Sequence, residues 1–147
     1  MEIRSPETDT EFEAYYDLRW RVLRQPWGQS PGSERDELDD DATHVAGYDE
    51  VKGLVCVGRL HAVETGVGQV RYMAVEEPLR GRGLGQAVLD ELERLAKRQG
   101  MSVIVLDARE AAVGFYRRNG YEAVGEGHVL FGEVRHSKMR KRLDGSA

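Results

Sequence analysis

The segment Pro78-Leu79-Arg80-Gly81-Arg82-Gly83-Leu84-Gly85 constrains this chain more than any other stretch, because it sets alternating glycines directly before a strong helix. In that helix Leu84, Val88, Leu92 and Leu95 form one apolar stripe, Ala87 and Leu89 widen it, and Asp90, Glu93, Arg94 and Lys97 fall on the water side. A helical glycine costs about 1 kcal/mol relative to alanine, so Gly81, Gly83 and Gly85 mark backbone whose task side chains would obstruct. A turn without Cβ atoms aims successive N–H groups at one point, and the helix behind it adds its positive dipole end. With Arg80 and Arg82 adding formal charge, the segment reads as a pyrophosphate cradle. It is not a Walker loop, since no Gly-Lys-Ser/Thr follows. The dinucleotide fingerprint fails too, because its third glycine would fall on Gln86 or Val88.

The elements around the cradle follow from periodicity and turn chemistry. Met1–Arg4 suits a short edge strand. Thr8-Asp9-Thr10-Glu11 is a capping box, and Phe12, Tyr15, Leu18 or Arg19, and Val22 recur at helical spacing, which predicts a helix to about Gln25. Pro26, Gly28 and Pro31-Gly32 end it. Thr43–Tyr48 and Leu54–Val63 flank the turn formers Asp49–Gly53 as a hairpin, and Glu64-Thr65-Gly66 leads into a strand at about Gln69–Val75. Connections this short make those strands antiparallel, whereas the crossover helix, capped by Gly100, makes the buried strand Ser102–Leu106 parallel to its predecessor. A short helix over Ala111–Arg118 ends at Asn119-Gly120, and Tyr121–Gly125 and Val129–Met139 supply the last strands. The order β-α-β-β-β-α-β-α-β-β predicts one α+β domain over residues 1–147. Its sheet is mixed and mostly antiparallel, with about six to seven strands flanked by about three to four helices.

Charge and cysteine usage narrow the function. A net charge of −5 argues against duplex binding, which needs a surplus of Lys and Arg. The lone Cys56 forms no internal disulfide and builds no cysteine zinc site, which fits a reducing cytoplasm. No metal site is expected. The longest aliphatic runs, such as Val103-Ile104-Val105-Leu106, fall far short of the ~20 residues of a membrane helix, and Met1-Glu2-Ile3-Arg4-Ser5 shows no secretory apolar region.

Arg80-x-x-Gly83-x-Gly85 resembles the Arg/Gln-x-x-Gly-x-Gly/Ala signature of the GCN5-related N-acetyltransferase (GNAT) superfamily. It follows Arg71-Tyr72-Met73-Ala74-Val75, which looks like the fourth strand of that family. Downstream, Phe115-Tyr116-Arg117-Arg118-Asn119-Gly120-Tyr121 is similar to its Phe-Tyr-x-x-x-Gly-Phe/Tyr motif. Leu18–Arg24, Gly58-Arg59-Leu60-His61 and His136-Ser137-Lys138-Met139 add a likeness to the ElaA-like branch. The resemblance implies the GNAT fold, acetyl-CoA as cosubstrate and transfer of an acetyl group to a primary amine of a small molecule or peptide. It also implies that the fourth and fifth strands splay, that the backbone of Met73, Ala74 and Val75 binds pantetheine, and that the amides from Arg80 to Gln86 hold the pyrophosphate. Tyr116 then sits near the CoA sulfur as the proton donor to the departing thiolate. Pairing through the last strands occurs in such folds, so the chain is expected as a monomer or homodimer.

Cys56, mid-strand between Val55 and Val57, is expected to be inert, so the amine attacks directly without an acyl-enzyme. Freeing a lysine-like amine of its proton at pH 7 costs about 4–5 kcal/mol, which calls for a base. The family often places a glutamate on the fourth strand; the matching residue here is Gln69, which accepts no proton. Among the histidines, His136 on the last strand is the first candidate and His44 the second. The acidic run Glu34, Asp36, Glu37, Asp39, Asp40 and Asp41 is either a solvated loop or an attractor for a cationic acceptor. The alternative to an enzyme is a non-catalytic acyl-CoA-binding sensor or interaction module of the same fold, the reading that Gln69 keeps open.

Overall fold

The structure, a computed structural model, describes residues 1–143. Its strands are β1 (Glu2–Arg4), β2 (Thr43–Asp49), β3 (Gly53–Glu64), β4 (Val67–Val75), β5 (Val103–Arg109), β6 (Glu122–Leu130) and β7 (Val134–Arg142). They form one seven-stranded sheet in the order β1-β2-β3-β4-β5-β7-β6. The helices are α1 (Asp9–Leu23), α2 (Leu84–Arg98) and α3 (Val113–Arg118). This is the α+β architecture and element order that the sequence predicts, with β4–β5 as the parallel pair. The last hairpin differs from expectation. The expected break between Gly125 and Val129 is instead a register shift inside β6, so Val129 stays in β6 and the turn falls at Phe131-Gly132.

Local chemistry accounts for the helices. The Thr8 hydroxyl accepts from the Glu11 amide at 3.1 Å and starts α1. Glu11 does not close the box on Thr8; its carboxylate accepts from the Glu7 amide at 2.8 Å and from both Nη atoms of Arg4, which holds its pKa down at about 2. On α2, Val88, Leu89, Leu92 and Ala96 are fully buried against the sheet, each large side chain worth about 1.5–3 kcal/mol. Tyr15, Leu18 and Leu23 of α1 pack with Ala46, Val57, Tyr72 and Ala74 on the opposite face. Both faces of the central strands are therefore covered.

The decisive irregularity lies in β4. Its parallel pairing with β5 covers only Val67, Gly68 and Gln69. Beyond them, the β3–β4 register slips between Val57 and Arg59, so Tyr72 and Met73 both oppose Gly58 in a bulge. Tyr72 takes a φ of 57° there, a left-handed conformation that costs a non-glycine residue about 1–3 kcal/mol. Packing holds it in place. The guanidiniums of Arg19, Arg59 and Arg71 lie 4.2, 4.9 and 4.6 Å from its ring centroid. Gly58 has no room for a side chain at this point, because a Cβ would meet Val88 at 2.7 Å.

Arg19 and Arg59 are both completely buried, and the acidic segment after α1 neutralises them. Asp39 Oδ1 accepts from Arg19 at 2.9 Å and from Arg59 at 3.0 Å, while Asp36 Oδ1 accepts from Arg59 at 2.6 Å. Desolvation opposes the Asp39 charge, but the Asp36 amide and the two guanidiniums outweigh it and hold the carboxyl below its usual range. His44 braces the same cluster, with Nδ1 2.9 Å from the Tyr15 hydroxyl and Nε2 2.8 Å from the Asp39 carbonyl oxygen. Asp39→Asn keeps the shape and leaves two buried cations undercompensated. We expect it to lose about 3–5 kcal/mol of stability in urea unfolding, and a loss under 1 kcal/mol would contradict the clamp.

Candidate functional site

Where β4 and β5 part, a cleft of about 1530 Å³ opens. One wall is the end of β4. The Glu76 amide donates to Val55 of β3 at 2.9 Å, and peptide directions alternate along a strand. The Val75 amide therefore points the other way, into the gap that β5 leaves unpaired. The opposite end of the cleft is the start of α2. Gly81 and Gly83 take φ values of 81° and 80°, and nothing lies within 4 Å of an added Cβ at either. The Gly83 cap supplies no side-chain acceptor, and the first turn of α2 carries no acidic residue. Its amides are thus free donors at a positive helix end, and they fit a diphosphate. Of the residues expected to bind the cosubstrate, Met73, Ala74, Val75, Arg80, Gly81, Gly83, Gly85, Gln86 and Tyr116 line this cleft, and Arg82 lies outside it. The Gln86 side chain is tied to Asp90 and Asn119, and Asn119 in turn bonds the Phe115 carbonyl, so the cradle and α3 are mechanically linked.

A second cavity of about 120 Å³ lies on the far side of the splay. It meets the cleft at a ring of Leu23, Met73, Arg109, Ala112 and Tyr116, which line both. Tyr116 is 7% exposed, and burial pushes its phenol pKa up, so it holds its proton. It packs edge-on against Phe115 and Tyr121 at centroid distances of 5.1 and 5.6 Å, which fix the ring at the junction. His136 lines the second cavity. Its Nδ1 lies 3.0 Å from the Val134 oxygen and 3.2 Å from the His128 oxygen. Both are acceptors, so Nδ1 carries the hydrogen and Nε2 keeps the lone pair. Burial, with His128 and Arg109 nearby, lowers the His136 pKa and keeps the ring neutral. Gln69 lines the same cavity.

Other expected residues lie elsewhere. His44 is a strut between α1 and the acidic segment, away from both cavities of the splay. Of that segment, Asp36 and Asp39 serve the buried arginines and Glu34 accepts from the Gly32 amide at 2.7 Å, while Glu37, Asp40 and Asp41 are exposed; none of the six lines the cavity beside Tyr116. Cys56 is buried and burial raises its thiol to about 11, which leaves it without nucleophilic thiolate. Asp107, Arg24 and Arg109 line the second cavity and were missed from the sequence. The available signal was register: β5 pairs with β7 so that Arg109 faces His136. Among the described residues, no cluster suits a metal ion, and no helix is long and apolar enough to cross a membrane.

Comparison with known proteins agrees with this geometry. The acetyltransferase (GNAT) family matches residues 12–121. The uncharacterized N-acetyltransferase YjcF of Bacillus subtilis strain 168 is 32% identical, over 88% of this chain and 90% of its own. The fold of Escherichia coli ElaA superposes with a TM-score of 0.78 at 21% identity, covering 95% of this chain and 97% of that one. An aminoglycoside 6'-N-acetyltransferase complexed with coenzyme A superposes with a TM-score of 0.83 at 17% identity, covering 100% and 99%.

Proposed function

Because the chain belongs to the GNAT acetyltransferase family, we propose that it is an N-acetyltransferase moving an acetyl group from acetyl-CoA to a primary amine, working as one cytoplasmic domain, monomer or homodimer. The observation that carries this reading is the shared ring at Tyr116, where a long cleft with an anion-binding end meets a small cavity containing a neutral histidine.

Acetyl-CoA supplies the acyl group as a thioester. The amides between Gly81 and Gln86, with Arg80, hold its diphosphate, and the unpaired β4 edge from Met73 to Val75 receives its extended arm as an added strand. The Val75 N–H donates to the carbonyl oxygen as negative charge builds there, a contribution of about 3–4 kcal/mol for a preorganised donor. His136 Nε2 takes a proton from the acceptor ammonium. The nitrogen–carbon bond forms and the carbon–sulfur bond breaks; Tyr116 gives its proton to the leaving sulfur and regains one from the second proton that the acylated nitrogen sheds, while His136 returns its proton to solvent. Burial keeps the Tyr116 phenol protonated, so its hydrogen is in place to be donated to the sulfur as negative charge collects there.

At about 100 times its Kd, CoA should stabilise the wild-type fold by about 2.7 kcal/mol in thermal unfolding. Gly83→Asp places a carboxylate in the open space of the cradle and should abolish that shift; an undiminished shift removes the cradle from binding. Tyr116→Phe should cut kcat by about 10²-fold or more while CoA affinity stays within about twofold, and equal turnover would take Tyr116 out of the chemistry. Because the His136 pKa is lowered, kcat/KM should climb with pH along a limb below about 6.5, as the ring sheds its proton. In His136→Gln that limb should vanish, and an unchanged profile would assign the base elsewhere.

A further inference from the structure

The second cavity holds more positive charge than its walls balance. Arg24 is only 6% exposed, yet its Nε and Nη1 donate to the Ser33 and Leu23 carbonyl oxygens at 3.0 and 3.1 Å, both neutral acceptors. Arg109, half-buried on β5, donates to the same Leu23 oxygen at 2.9 Å. Neither guanidinium forms an ion pair among the described residues, whereas every other well-buried arginine here faces a carboxylate. Glu34 reaches Arg24 only at long range, bonded as it is to Gly32. Burial weakens the charged form of both groups, and Arg71 and Arg24 respectively add repulsion. An arginine does not escape by releasing its proton.

Charge arithmetic shows what is missing. The carbonyl end of α1 at Leu23 offers about half a negative charge against two full cations. Arg71 also lines the cavity, and the Asp36 carboxylate it approaches at 3.3 Å is shared with Arg59, so it brings no spare negative charge. Asp107 is the one carboxylate in the lining. It shares a face of β5 with Arg109, two residues on, and offers a place for an ammonium. An amine entering as a cation uses up Asp107 and leaves the two guanidiniums, which converge on the Leu23 oxygen, without a countercharge beside a cavity of about 120 Å³, room for about four waters. That volume takes a small group.

Resting on the acetyl-transfer reading, we infer that the acceptor is a small amine carrying its own anionic oxygen group, carboxylate or phosphate, which Arg24 and Arg109 receive while Asp107 and His136 face the nitrogen. This differs from the purely cationic acceptor that an attracting acidic run implies. Guanidinium forks match planar carboxylates and phosphates in two-point contacts, and each buried charge-assisted contact discriminates strongly against a neutral analogue.

The test uses matched pairs on the full-length protein, supplied with acetyl-CoA for the transfer assays and with CoA for the binding titrations. Glycine, β-alanine and 4-aminobutyrate are compared with their amides, and O-phosphoethanolamine with ethanolamine, for acetyl transfer. The N-acetyl forms of the same compounds are titrated separately for binding by NMR. The anionic member of at least one pair should bind better by about tenfold or more. In Arg109→Gln that preference should shrink to about twofold or less, with KM changing more than kcat. Preference for carboxylate or for phosphate identifies the source of the anion. Neutral members that bind as well as anionic ones, or no binding by any, overturn the inference, and this comparison needs no variant to fold. Anionic forms that bind without any turnover would leave the pocket assignment standing and overturn the transferase reading instead.

Discussion

The site exists because two aspartates reach under the sheet and neutralise two arginines that have no water. Asp36 and Asp39 hold Arg19 and Arg59, and with Arg71 those guanidiniums enclose the ring of Tyr72. The enclosure keeps Tyr72 in a backbone conformation that it would otherwise leave, and the bulge turns β4 away from β5. Without it the parallel pairing would have no reason to stop at Gln69, and the backbone edge that lines the cleft would be sealed by its neighbour. An ionic cluster of this kind is a weak source of net stability, because desolvation consumes most of the Coulombic gain. Its yield is geometric.

The splay divides labour between the two faces of the sheet. On the α2 side the chain presents backbone: glycines, uncapped amides and an unpaired strand edge, all suited to a long anionic ligand whatever the side chains nearby. On the α1 side it presents side chains, with Arg24, Asp107, Arg109 and His136 around a small cavity. In the proposed reaction the first surface takes the cosubstrate and the second takes the acceptor. Tyr116 belongs to both, and the packing of Phe115 and Tyr121 around it ties its position to α2, through Asn119 to Gln86 and through Tyr121 to Glu93.

Much of this was readable in advance. The cradle was legible because glycine before a good helix former is a local statement, and the element order followed from hydrophobic period and connection length. The acidic run reads on composition as solvent-facing or substrate-attracting, since six carboxylates in eight residues resemble neither core nor clamp. Its real partners, Arg19 and Arg59, are 20 residues away from Asp39 on either side, and charge pairing across such a distance leaves no periodic trace. The same blindness hid Arg24 and Arg109, which are separated by the whole central sheet in sequence and meet at the Leu23 carbonyl.

Sequence alone determined the family, the order of strands and helices, and the anion-binding turn, because each rests on interactions between residues close along the chain. Tertiary structure decided which charges are buried, where β4 bends, and which side chains share the small cavity beside Tyr116. Those outcomes depend on solvent exclusion and on pairings across the sheet, and neither is specified until distant segments have packed together.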